Sequence, residues 1–179
     1  MRSSRQPDQR LDLLRRMSNP AALASASTAA PDPSHSGQAD DPAAGSGPKV
    51  SVGYCMGARF GLHAASTLSD QFAAAAGIHP GALVTDEPDS PHHELASVSG
   101  ELYYAFAEND QSATPEVVER FREELAAQGV KGVVERLPGT SHGFAMADLP
   151  VHDPAATERH FERTLELWRR NLTAEAVEA

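Results

Sequence analysis

One cysteine stands in 179 residues, Cys55, so no disulfide can form within the chain and the fold does not depend on an oxidising compartment. Cations are few: 15 Lys and Arg against 25 Asp and Glu leave a net charge of −10. Phosphate backbones are held by clustered Lys and Arg, so nucleic acid is not an expected partner. No apolar run approaches the roughly 20 residues that a bilayer span needs. The N-terminal arginines precede a stretch, Asn19-Pro-Ala-Ala-Leu-Ala-Ser-Ala-Ser, too broken and polar for a secretory signal core. The expectation is a soluble, cytoplasmic protein. Large apolar side chains are nearly absent from residues 18–48, which are mostly Ala, Ser, Pro, Gly and Asp. Such a composition cannot bury enough surface to offset chain entropy, so residues 1–47 are expected to be a disordered N-terminal segment. Within it only Leu11, Leu14 and Met17 fall at helical spacing.

The character changes from Pro48, and one domain is expected over residues 48–174. Lys49–Gly53 reads as a strand. The helix from Met56 to about Leu68 carries Phe60, Ala64 and Leu68 at four-residue steps, an expected buried face. Phe72–Ile78 is a small-residue apolar strand ending in His79-Pro80-Gly81, and Thr85–His93 is a polar loop. Glu101–Ala107 is an aromatic strand. Thr114-Pro115-Glu116 opens a helix as cap, first-turn proline and first-turn acid, with Val117, Phe121 and Leu125 buried and Gly129 at its stop. Lys131–Leu137 is the next strand. Asp153-Pro154 opens a last helix with an apolar stripe of Phe161, Leu165, Trp168 and Leu172. Strands alternating with amphipathic helices imply an α/β fold, a mostly parallel sheet of about four strands flanked by helices. In such sheets the functional groups lie in loops at the strands' C-terminal ends.

One turn at that edge organises the rest. Val50-Ser-Val-Gly53-Tyr-Cys55-Met-Gly57-Ala-Arg-Phe60 reads as a strand, a tight Gly-x-Cys-x-Gly turn and a helix start. A residue in the middle of such a turn is strained and holds its side chain clear of the sheet. Glycine at 53 and 57 would let strand and helix pass closely. A buried cysteine beside a turn that happens to carry two glycines is the plainer alternative. Two further groups favour a nucleophile: Asp110 follows the Glu101–Ala107 strand and His142 follows Lys131–Leu137. A thiol near pKa 8.5 needs a base to take its proton, and the imidazole needs a carboxylate to hold its tautomer and orientation. The backbone N–H of Met56, directly after the nucleophile, would face a developing oxyanion. Taken singly, Asp110 could be a turn residue and His142 a loop histidine. Together they stand in the order nucleophile, acid, base of α/β-hydrolases.

Tyr54 and His79 lie at strand ends and are expected to line a substrate pocket. His79, His92 and His93 with Asp86 and Asp89 offer metal-ligand side chains, but their spacing fits no zinc pattern, so no metal is expected.

These segments resemble the dienelactone hydrolase family of α/β-hydrolases (carboxymethylenebutenolidase-like enzymes). The matching stretches are Gly53-Tyr-Cys55-Met-Gly57-Ala-Arg, Ala107-Glu-Asn-Asp110 and Gly139-Thr-Ser-His142-Gly-Phe-Ala, with Pro150 to Leu165 like the closing helix, over roughly 48 to 172. The resemblance implies a Cys55–His142–Asp110 triad that opens a small-molecule carboxylic ester or enol-lactone through an acyl-thioester, without metal or organic cofactor. Members that open dienelactone carry an arginine shortly after the catalytic histidine; His142-Gly-Phe-Ala-Met146 has methionine there, so dienelactone itself is not the expected substrate. The family also has about four strands before the nucleophile strand, a half for which residues 1–48 hold no strand-like runs. The chain is therefore expected to be a partial α/β-hydrolase fold, with the Lys49–Gly53 strand lacking its inner neighbour. An open apolar edge invites pairing. The competing expectation is a truncated, weak or inactive member serving as an interaction module, as a homodimer or with another chain through that edge.

Overall fold

The computed structural model describes residues 47–172; the expected N-terminal segment and its Leu11–Met17 helix lie outside the described residues. Strands β1 (Lys49–Tyr54), β2 (Phe72–Ile78), β3 (Glu101–Asn109) and β4 (Gly132–Ser141) form one sheet in the order β1-β2-β3-β4. All three pairings are parallel. Helices α1 (Gly57–Thr67), α2 (Pro115–Ala127) and α3 (Pro154–Leu172) make the crossovers and the last element, with a 3₁₀ segment at Pro91–Ser97.

The sheet is buried on both faces, and β3 shows how. Leu102, Tyr104 and Phe106 pack with α1 and α2, while Tyr103, Ala105 and Ala107 pack with α3, the two-residue alternation of a pleated strand. Small residues on β2 divide the same way, Ala75 toward α1 and Ala74 and Ala76 toward α3. They let helices approach closely on both sides. Gly77 of β2 is required by its neighbour: a Cβ there would lie 2.3 Å from the Tyr104 ring.

The α2 boundaries follow their local signals. Thr114 caps the helix through its side chain, with Val117 N–H donating to Oγ1 at 3.5 Å. At the other end Gly129, at φ +68°, and Val130 donate to the carbonyls of Ala126 and Leu125, a glycine-terminated Schellman stop. Val118, Phe121 and Leu125 form its buried face, with Val117 only half-buried.

Four expectations are corrected. The buried face of α1 is Ala58, Leu62 and Ala65, whereas Phe60 is 64% exposed and Leu68 42%. Close packing over Gly53, Ser51 and Ala75 selects small residues, so size misjudged the face. On α3 the buried face is Ala156, His160, Thr164 and Leu167; Phe161, Leu165 and Trp168 flank it and Leu172 lies toward solvent. That face meets Ala74, Ala76 and Ile78 of β2 and Tyr103, Ala105 and Ala107 of β3, so the fit to the sheet and not apolar size selects it. The stretch read as a polar loop to His93 ends instead in the 3₁₀ segment, with Ser90 and His92 buried and bonded to each other at 2.6 Å. Finally, β4 runs on past Pro138-Gly139 to Ser141 and pairs Ser141 with Asn109 across an irregularity. Gly139 at φ +75° and the bonds Gly139 N–H to Glu108 Oε2 (2.8 Å) and Arg136 Nη2 to Glu108 O (2.6 Å) carry the strand through that bulge.

Among the described residues no helix is long and apolar enough to cross a membrane.

Candidate active site

The turn between β1 and α1 forces its central residue into the left-handed region: Cys55 has φ +53°. A non-glycine residue held there stores about 1–3 kcal/mol of strain, and such strain persists only where the surroundings impose it. Here the Cys55 N–H donates to Ile78 O at 3.0 Å and the Ala58 N–H to Cys55 O at 3.2 Å, so both ends of the residue are tied. The side chain is exposed. The two glycines of the turn are not equivalent. A Cβ on Gly53 would lie 2.1 Å from Gly57 O, but one on Gly57 would meet nothing within 4 Å. The expectation that both positions exclude a side chain thus holds at Gly53 only, because the crowding is of Gly53 against the helix's first carbonyl. Of the first helix N–H groups, those of Ala58 and Arg59 already bond Cys55 O and Met56 O.

Asp110 follows β3 directly. Its Oδ1 accepts from Ser112 N–H at 2.8 Å and from Ser112 Oγ at 2.7 Å, a side-chain turn that fixes the carboxylate plane. Its Oδ2 lies 2.6 Å from His142 Nδ1, and the other ring nitrogen, Nε2, lies 3.0 Å from Cys55 Sγ. Burial raises the Asp110 carboxyl, but the hydrogen bonds from Ser112 and His142 outweigh it and hold the group below the usual carboxylate range. The longer β4 is what places His142 here, and Gly143 at φ +89° turns the chain away beyond it. Residues 55, 110 and 142 thus meet at one edge of the sheet as the sequence order suggested.

Tyr54 and His79 do not form an open pocket wall. His79 is 1% exposed, and the Tyr54 ring packs with the α3-side core. With Phe144 and His160 they form an aromatic layer behind His142: Tyr54 to His160 5.6 Å, His79 to Phe144 5.3 Å, Phe144 to His160 6.1 Å between ring centroids. Burial lowers both His79 and His160 to about 4. Their unfolded forms protonate near 6.5, so the unfolded state binds more protons between about pH 6.5 and 4, and stability present above that window falls as pH drops through it. A His160→Phe variant is expected to flatten that fall in a series of thermal melts; an unchanged pH slope would show that His160 is not its source. His160 and Ser112 were missed as site neighbours by sequence reasoning. The Asp110-Gln-Ser112 spacing signals the turn, but nothing local marks His160.

His92 and His93 pair with each other at 4.1 Å between centroids, on the other side of the sheet from the layer that holds His79. Near the turn the exposed apolar residues are Met56 (54%) and Phe60 (64%), which border a cleft of about 300 Å³ with Arg59. Among the described residues β1 pairs on one side only, with β2.

The dienelactone hydrolase family model matches residues 16–172. The chain belongs to the dienelactone hydrolase family. The match begins upstream of residue 48, where the resemblance was expected to start, and takes in residues outside those described. Solved structures share the α/β-hydrolase fold. A Klebsiella pneumoniae protein solved as a candidate dienelactone hydrolase has 18% identity and a TM-score of 0.62, over 68% of this chain and 51% of its own. A dienelactone hydrolase-like promiscuous phosphotriesterase from metagenomic libraries has 19% identity and a TM-score of 0.57, over 68% and 52%. Esterase 2 of Thermogutta terrifontis has 18% and 0.56, over 68% and 54%. The chain therefore spans about half the length of these relatives. No curated protein matches it.

Proposed function

We propose that this dienelactone hydrolase family member hydrolyses a small carboxylic ester or lactone through a Cys55–His142–Asp110 triad. The observation that carries the reading is the unbroken chain of contacts from Asp110 Oδ2 through both ring nitrogens of His142 to Cys55 Sγ, at 2.6 and 3.0 Å. His142 Nε2 takes the thiol proton as sulfur attacks the carbonyl carbon. The Met56 N–H, directly after the nucleophile, donates to the tetrahedral oxyanion. Collapse expels the alkoxide, which leaves with the proton from His142, and an acyl-thioester remains. Water then attacks with His142 as base, releasing the acid and the Cys55 thiol. Met146, where dienelactone-opening relatives carry arginine, supports a substrate without a carboxylate at that end.

Cys55→Ala is expected to slow the hydrolysis of a neutral aryl ester by about 10⁴-fold or more. Equal rates for wild type and variant would remove the proposal.

The β1 edge, paired on one side only among the described residues, favours a second reading in which a further copy of the chain pairs along β1. Light scattering should then give a dimer; a monodisperse monomer would overturn the pairing and leave the chemistry untouched.

A further inference from the structure

His79 has no part in the proton path, yet it is built into the site at some expense. Its φ of +39° is left-handed, a region where histidine is among the more tolerated side chains. Its N–H donates to Ala105 O at 2.7 Å, anchoring the turn to β3. Neither ring nitrogen has a hydrogen-bond partner although the residue is 1% exposed. Leaving two buried polar atoms unpaired is costly. The ring is therefore held there for its shape.

What the ring meets is His142. The two centroids are 5.2 Å apart with the planes at 62°, an edge-on contact, and Phe144 meets the His79 ring at 5.3 Å and 79°. The same turn continues along the imidazole: a Cβ on Gly81 would lie 3.6 Å from His142 Cε1. His142 is about a third exposed, so its own burial does not fix its orientation. Asp110 fixes one nitrogen, but a single hydrogen bond leaves the ring free to swing about that axis. We infer that His79 is a positioning residue, whose ring forms the rear wall that keeps His142 Nε2 aimed at Cys55 Sγ. Burial keeps His79 neutral at working pH, so it does not compete with His142 for the proton. This rests on the Cys55–His142 reading above.

Cys55 is the chain's single thiol, so its alkylation by iodoacetamide reports the Cys55–His142 pair without need of a substrate. The full chain is compared as wild type, His142→Gln, His79→Phe and His79→Asn. Asparagine tolerates the left-handed backbone but supplies no ring. His79→Phe keeps a ring and drops the nitrogens. At neutral pH His79→Asn is expected to slow alkylation about tenfold toward the His142→Gln rate, and to lower kcat with KM little changed. His79→Phe should stay within about twofold of wild type. An alkylation rate in His79→Asn equal to wild type overturns the positioning role, as does a His79→Phe rate as low as that of His79→Asn. Should His142→Gln itself alkylate like wild type, the Cys55–His142 pair fails and the positioning role fails with it, an outcome distinct from the other two.

Discussion

Asp110→Asn is expected to lower kcat for ester hydrolysis about 10⁴-fold, the scale seen when a triad aspartate is replaced by its amide. The reason lies in how Asp110 is held. Ser112 donates from both its N–H and Oγ to Oδ1, so the position at Oδ1 must be an acceptor. An asparagine oxygen will take that place, which turns its amide NH₂ toward His142 Nδ1. The imidazole must then accept at Nδ1 and carry its proton on Nε2, facing the Cys55 sulfur from which it should take one. The base is lost though the geometry survives. Because the amide matches the carboxylate in size, the cost to stability should be only about 1–2 kcal/mol, that of a weakened charged hydrogen bond. Steady-state kinetics and a thermal melt on the same preparation separate the two. A kcat within tenfold of wild type would mean that Asp110 does not set the tautomer.

The second large effect concerns stability. Gly53→Ala is expected to destabilise the domain by about 3 kcal/mol or more, at the upper end of overpacking. The added methyl would sit 2.1 Å from Gly57 O and 2.7 Å from Ala58 N. These are backbone atoms of the turn that carries Cys55, and no side-chain rotation relieves the clash. Gly57→Ala, four residues on, is expected to be neutral or to stabilise by about 0.5 kcal/mol, since open space surrounds it and alanine limits the unfolded chain. Urea titrations of both variants test the contrast. If the two substitutions behaved alike, the close strand-to-helix crossing at Gly53 would be wrong.

Much of the fold was legible because it rests on local signals. The Thr114 cap, the Gly129 stop, the small-residue run of β2 and the aromatic run of β3 each mark an element that is present within a residue or two. The faces of α1 and α3 were not legible. Apolar size points to Phe60 and Phe161, but which face is buried depends on the surface the helix meets: Gly53 and Ala75 lie close under α1, and Ala74, Ala76, Tyr103 and Ala105 lie under α3. Where β4 ends was missed for a similar reason: Pro138-Gly139 reads as a loop until Glu108 of the neighbouring strand bonds it.

The sequence by itself determined the chemistry on offer. A lone cysteine in a Gly-x-Cys-x-Gly turn, an aspartate and a histidine after later strands, and a strand–helix alternation that sends all three to one sheet edge are properties of order and spacing along the chain. Tertiary structure decided the rest. It distinguished an obligatory Gly53 from a replaceable Gly57, because crowding is a distance between segments. It set His79 in the aromatic layer behind His142, with Tyr54 half-buried beside it, because burial depends on what α3 brings across the sheet. It brought His142 to 3.0 Å from Cys55 across 87 residues, because the parallel strands from β1 to β4 all end on the same sheet edge.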